Sequence, residues 1–158
     1  YSLMQLGAES ETSELNSETS IPPRVQIAAC GAVMPEAIAA AHELASEGIS
    51  VNLVDITSAD RLYAAWQRTI RQGIRTATTP SIPGALRAAF DLTAPIVTVH
   101  DASSHALAWL GSALGVPCVS LGVDRFGQSG TVADLYEEHD LTSGSIVNGA
   151  LAALTLVR

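Results

Sequence analysis

The sequence predicts an α/β fold, a three-layer open sandwich with about five mostly parallel strands and helices on both faces. Three observations carry it. The runs "RVQIAACG", "ISVNLVDI", "PIVTVHD" and "PCVSLG" are near-continuously apolar, as strands covered on both faces are. Stretches of helical period separate them, the alternation that a parallel sheet requires. Gly or Pro bounds most runs and marks the chain reversals.

Arg24 to Gly31 reads as the first of these strands. Pro35 to Gly48 follows as a helix, with Pro in its first turn and Gly beyond its last. Met34, Ile38, Ala41 and Ala45 recur at helical spacing and predict an apolar stripe against the sheet, leaving Glu36, Glu43 and Glu47 to water. Ile49 to Ile56 is a second strand. Ala59 to Arg71 is a helix, with Ser58 as N-cap and Leu62, Trp66 and Ile70 on one face. The pattern then weakens, and "GIRTATTP" reads as a short edge strand because Pro80 is best tolerated at an edge. Gly84 to Phe90 gives a short helix and Pro95 to Asp101 a strand. "SSHALAWLGSALG" is a helix closed by Gly115, and Pro117 to Gly122 is a strand. Two helices follow, Thr131 to His139 and Ser143 to Val157.

The 158 residues suit one core, and 47% hydrophobic against 15% charged residues is enough apolar surface to drive its folding. Glu9, Glu11, Glu14 and Glu18 place half of the net charge of −8 in a Ser/Thr-rich stretch without Lys or Arg. Residues 1–20 therefore read as an acidic linker or the end of a preceding domain, and residues 21–158 as the folded domain. "YSLMQL" is too short and lacks the basic start of a signal peptide. An opening on Tyr1 suggests a piece of a longer polypeptide. No apolar run is long enough to span a bilayer, and an acidic chain with no basic patch repels nucleic acid and anionic lipid. Neither membrane nor nucleic acid is expected as a partner. Cys30 and Cys118 lie in apolar runs without metal-type spacing, which favours free thiols in a reducing cytoplasm. All eight basic residues are Arg and alanine is abundant, a hint of a GC-rich bacterial genome.

Ligands of open parallel sheets sit beyond the carboxyl ends of the strands. Four corners qualify here: Gly31 to Met34, Asp55 to Ser58, His100 to His105, and Asp124 to Gly130. "HDASSH" holds the residue types of a catalytic triad, but neighbours on one turn rarely align as nucleophile, base and orienting carboxylate. Ser103 or Ser104 as a helix cap is the simpler reading. "CGAVMPE" lacks the glycines of a dinucleotide fingerprint. His42 reads as a partly exposed helix residue, and Asp55 and Asp101 as caps. The Gly-Gln-Ser-Gly turn is the strongest candidate, because free N–H groups at a helix start attract anions. His100, Asp101, Arg125, Gly127, Ser129 and Gly130 are therefore the candidate anion-binding or interdomain residues; none is assigned to catalysis, a cofactor or a metal. Ser129 as helix cap and Phe126 as packing anchor form the structural alternative. Glu137, Glu138 and Asp140 oppose the dipole of the helix before them and call for a basic partner such as Arg125.

Two stretches carry a resemblance. "RVQIAACGAVMPEAIAAAHELASEGISVNLVDITSADRL" is similar to the opening of the C-terminal domain of the transketolase family of thiamine-diphosphate enzymes, and "VSLGVDRFGQSGTVADLYEEHDLTSGSIVNGALAAL" to its ending. Within the family, "LGVDRFGQSG" and the Trp66 region look closest to the homodimeric first component of bacterial pyruvate dehydrogenase, with Arg125 where Gly is usual. The resemblance implies a structural, dimer-supporting domain packed on the preceding pyrimidine-binding domain. It implies a parent that decarboxylates a 2-oxo acid, pyruvate in that subfamily, and acylates the lipoyl domain of an acyltransferase component. Thiamine diphosphate and Mg²⁺ would be held by a Gly-Asp-Gly motif that these residues lack, so neither cofactor nor turnover is expected of this chain alone. A transketolase-type parent and a free-standing small-anion-binding regulatory module are the alternatives.

Overall fold

The computed structural model describes residues 3–7 and 22–157. Strand β1 (Leu3–Leu6) is followed by β2 (Arg24–Cys30), a 3-10 turn (Gly31–Val33) and helix α1 (Met34–Ser46). Then come β3 (Ser50–Asp55), α2 (Ala59–Thr76), α3 (Gly84–Ala89) and β4 (Ile96–His100). The chain continues as α4 (His105–Leu114), β5 (Cys118–Leu121), α5 (Val132–Glu138) and α6 (Ser143–Thr155). The sheet runs β1-β3-β2-β4-β5 and is parallel except for β1, which pairs antiparallel with β3. This is the expected α/β sandwich.

Two cores sandwich the sheet. On one side Val25, Ile27 and Ala29 of β2 meet Ala37, Ala40, Ala41 and Leu44 of α1 and Ile146 and Ala150 of α6. On the other, Ala28 of β2 and Ile96 of β4 meet Leu62, Leu86, Leu107 and Leu110 from α2, α3 and α4. Five consecutive residues of β2 are buried, which only a strand covered on both faces achieves. The small alanines bring α1 close to the sheet. Gly111 does the same for α4, since a Cβ there would collide with the side chain of Cys118 on β5.

Gln26 is a polar residue with no exposure in the second core. Its Nε2 donates to the carbonyls of Asp91 and Ala94 (2.8 and 2.9 Å), and its Oε1 accepts from the Asp91 N–H (2.7 Å) and Asn52 Nδ2 (3.3 Å). All four bonds of the amide are made, so the burial costs little and the 91–94 loop is fixed to the sheet.

Several local expectations are corrected. Gly73 to Thr76 of "GIRTATTP" continues α2, which ends at Ala77 in a left-handed conformation (φ 51°). The edge strand comes instead from Leu3–Leu6, placed by the sequence in the segment before the domain; the four acidic residues of that segment lie outside the described residues. Ser58 precedes α2 without a capping bond from its side chain. The buried stripe of α1 is Ala37, Ala40, Ala41 and Leu44, which turns Met34, Ile38 and Ala45 to its flank. Glu36 does not simply face water: its carboxylate accepts the Ser143 N–H (2.8 Å) and caps α6 from a neighbouring helix. No described helix is long and apolar enough to cross a membrane.

Candidate functional site

Strand order reverses between β2 and β4, so the crevice where such sheets place ligands opens between Gly31 and Asp101. Asp101 fills it. Its Oδ2 accepts the Ala32 N–H at 3.1 Å, and the carboxylate leaves no space for a side chain at position 31: a Cβ there would sit 2.5 Å from Oδ1. Gly31 is also in the left-handed region (φ 85°), so glycine is required twice over. Asp101 thus caps the turn after β2 rather than its own following helix. His100 Nδ1 accepts the Ala102 N–H at 2.7 Å and lies 3.1 Å from Asp101 Oδ1.

The surroundings of the crevice are acidic. Burial, then Asp101 and Asp55, push the Cys30 thiol up. Burial, then Asp101 and Glu36, do the same to the Tyr136 hydroxyl. Tyr136 is not singled out in the sequence and Glu36 is left there to water, because they reach this corner from α5 and α1 only after folding.

The second corner joins β4 to β5. Asp124 Oδ1 accepts from Ser103 Oγ (2.8 Å) and from the Ser104 N–H (2.9 Å), while Ser103 Oγ is 2.7 Å from His105 Nδ1. Ser103 lies between the carboxylate and the ring. A triad needs the ring between serine and carboxylate, so this arrangement holds a turn and does not activate a nucleophile. The start of α4 is capped by Asp124, 20 residues away in sequence, and not by the hydroxyl of Ser103 or Ser104. These bonds hold the Asp124 carboxyl below the usual carboxylate range, those to Ser104 first.

The Gly-Gln-Ser-Gly turn lies beside that corner. Arg125 donates to the Glu138 carbonyl (2.7 Å) and pairs with its carboxylate (3.1 Å), which offsets one of the three carboxylates at the acidic end of α5. Thr131, not Ser129, is the N-cap of α5. Its Oγ1 accepts the Asp134 N–H while Asp134 returns a carboxylate to the Thr131 N–H, a capping box that the T-x-x-D spacing could have revealed. The start of α5 already holds this carboxylate where an incoming anion would sit. Gly127 takes φ 101°, and Gly127, Ser129 and Gly130 are all exposed. Phe126 is no packing anchor: it is 105% exposed, held into solvent between the pinned Arg125 and the turning Gly127.

A cleft of about 730 Å³ lies at the opposite, amino end of the parallel strands between Arg24, Ser50, Asn52 and Asp91. Gln26 and Asn52 close its floor, the Asn52 Oδ1 being buried without a partner among the described residues. It contains none of the six candidate residues. Those residues gather at the carboxyl rim in two groups: His100 with Asp101 at the crevice, and Arg125, Gly127, Ser129 and Gly130 around the projecting Phe126.

A family model described as "Transketolase-like TK C-terminal domain" matches residues 15–142. No curated protein matches. Among solved structures, the chain is similar to one described as a split gene transketolase, inactive beta4 tetramer, at 26% identity and a TM-score of 0.61. That match covers 87% of this chain and 41% of the other. The chain is also similar in fold to a transketolase from Leishmania mexicana, at 18% identity and a TM-score of 0.55, covering 98% of this chain and 18% of that one. The chain therefore spans less than half the length of either structure. With the family model matched over most of the 158 residues and the sheet of that domain in place, the chain belongs to the transketolase C-terminal domain family.

Proposed function

We propose that the chain is the structural, dimer-supporting C-terminal domain of a thiamine-diphosphate-dependent enzyme, docked on the preceding pyrimidine-binding domain and on a second subunit through its carboxyl rim. One observation carries the reading: Phe126 is wholly exposed on a loop pinned immediately before it through Asp124 and Arg125, the form of a preorganised contact residue. The rim does not fit the cofactor. Asp55 and Asp101 would repel a diphosphate, Arg125 is engaged by Glu138, and no group of three or more His, Cys, Asp or Glu with metal-holding geometry occurs among the described residues. These features support the reading that thiamine diphosphate and Mg²⁺ are held by the preceding domains. The role of this chain is to support them.

The parent is proposed to be the homodimeric first component of a pyruvate dehydrogenase, decarboxylating the 2-oxo acid and acylating a lipoyl domain in a bacterial cytoplasm. The likeness of "LGVDRFGQSG" and the Trp66 region to that subfamily supports this. A transketolase parent is the second reading, favoured by the two solved structures, both described as transketolases. Calorimetric titration of this chain with thiamine diphosphate and Mg²⁺ should give no binding heat; saturable binding would sink the assignment. Assays of the full-length enzyme then divide the parents: pyruvate-dependent acylation of a lipoyl domain supports the first, and two-carbon transfer from a ketose phosphate supports the second.

A further inference from the structure

The sequence predicts no basic patch, but helix α2 gathers half of the chain's eight basic residues, Arg61, Arg68, Arg71 and Arg75, in a protein of net charge −8. At about 100° per residue these four fall within roughly 80° of arc along about 21 Å of helix. Leu62 and Gly73 define the buried face, which lies on the far side. All four arginines are exposed, and none forms an ion pair among the described residues. Arg68 to Arg71 and Arg71 to Arg75 are like-charge neighbours at three and four residues, an arrangement that weakens a helix. A face built only for solvation would alternate its signs.

Two further features adjoin the stripe. Ile74 is 76% exposed on the same stretch of helix. A cleft of about 450 Å³ runs between Arg68, Gln72 and the loop residues Thr78, Thr79 and Ser81. We infer that this face of α2 is a docking surface for an acidic, partly apolar protein segment whose carboxylates pair with the four arginines and whose apolar side chain covers Ile74. Guanidinium groups favour this partner because their planar donors match carboxylates in pairs, and arginine with an apolar neighbour is the common composition of interface centres. A nucleic acid would gain nothing from Ile74 and would meet the acidic remainder of the molecule.

The test uses a labelled helical Glu/Leu peptide of about 20 residues, roughly 30 Å long, followed by fluorescence anisotropy. The unsubstituted protein should bind it, and raising ionic strength from about 0.02 to about 0.15 M should weaken binding severalfold. The R61Q/R68Q/R71Q/R75Q variant should bind at least about tenfold more weakly and lose most of the salt dependence, while Ile74→Ser should cost about threefold. The control pair R24Q/R87Q should bind as the unsubstituted protein does. Thermal melts confirm that each variant is folded, as expected for exposed positions. Absence of binding by the unsubstituted protein, an unaffected quadruple variant, equal weakening by the control pair, or tighter binding of an oligouridine of matched charge would each overturn the inference.

Discussion

Phe126→Ala separates a packing residue from a docking residue. The ring is 105% exposed, so its removal deletes no internal contact, and unfolding of the isolated chain should change by less than about 0.5 kcal/mol. If the rim docks on a neighbouring domain or subunit, the same ring is buried there. Full burial of Phe is worth about 1.5–3 kcal/mol, which predicts a roughly 10- to 150-fold weaker docking constant in the parent enzyme. Urea denaturation of the chain and sedimentation of the full-length enzyme across a concentration series measure the two halves. Phe126→Leu should recover most of the assembly. A chain destabilised by more than about 1 kcal/mol would show that Phe126 packs internally, and unaltered assembly would show that the rim is not the docking surface.

Gly31→Ala should lower stability by about 2 kcal/mol or more, because it adds a left-handed backbone penalty to a collision with Asp101; a neutral substitution would refute the tight crevice. Gln26→Leu leaves the part-buried N–H and carbonyl of Asp91 and the buried carbonyl of Ala94 unpaired, and should cost roughly 3 kcal/mol in urea denaturation. The carboxyls of Asp91, Asp124 and Asp134 are held low, each mainly by a hydroxyl-bearing neighbour, Thr93, Ser104 and Thr131. Their ionised forms favour the folded state, so this stability is full above the unfolded value of about 3.9 and is lost as pH falls toward the folded values. The urea midpoint should fall below about pH 4 and fall less steeply in a D91N/D124N/D134N variant; parallel profiles would refute the linkage. With its acid weakened by burial and by Asp101, Cys30 should alkylate more slowly than a free thiol at about pH 8, and Asp101→Asn should speed it; no acceleration would remove Asp101 as a cause.

The strands and helices were legible because their signals are local. Apolar runs such as "PIVTVHD" leave few alternatives, and Gly115 closes α4 as its position implied. The edge was not legible. Leu3–Leu6 becomes a strand only by pairing with Val51 to Val54, nearly 50 residues away, and nothing within "LMQL" announces that partner. Caps failed for the same reason: Asp124 reaches Ser104 and Glu36 reaches Ser143 across the fold, whereas the local Thr131–Asp134 box was available to read. Phe126 was misread because hydrophobicity alone argues for burial, while the pinned loop that exposes it is tertiary.

A topology that usually binds small ligands can instead become a docking platform by using up its own polar groups. Three of the four corners at the carboxyl rim illustrate this. The Ala32 N–H, which could have met a phosphate at the switch point, is held by Asp101. The Ser104 N–H at the start of α4 is held by Asp124, and the Thr131 N–H at the start of α5 by Asp134. Three donors that would bind anions in other α/β sheets are each bonded to a carboxylate from the same chain. Displacing any of them would require an anion to expel a bonded carboxylate while approaching an acidic surface. Among these loops the ring of Phe126 stands fully exposed, and apolar exposure is relieved by another protein surface rather than by a phosphate.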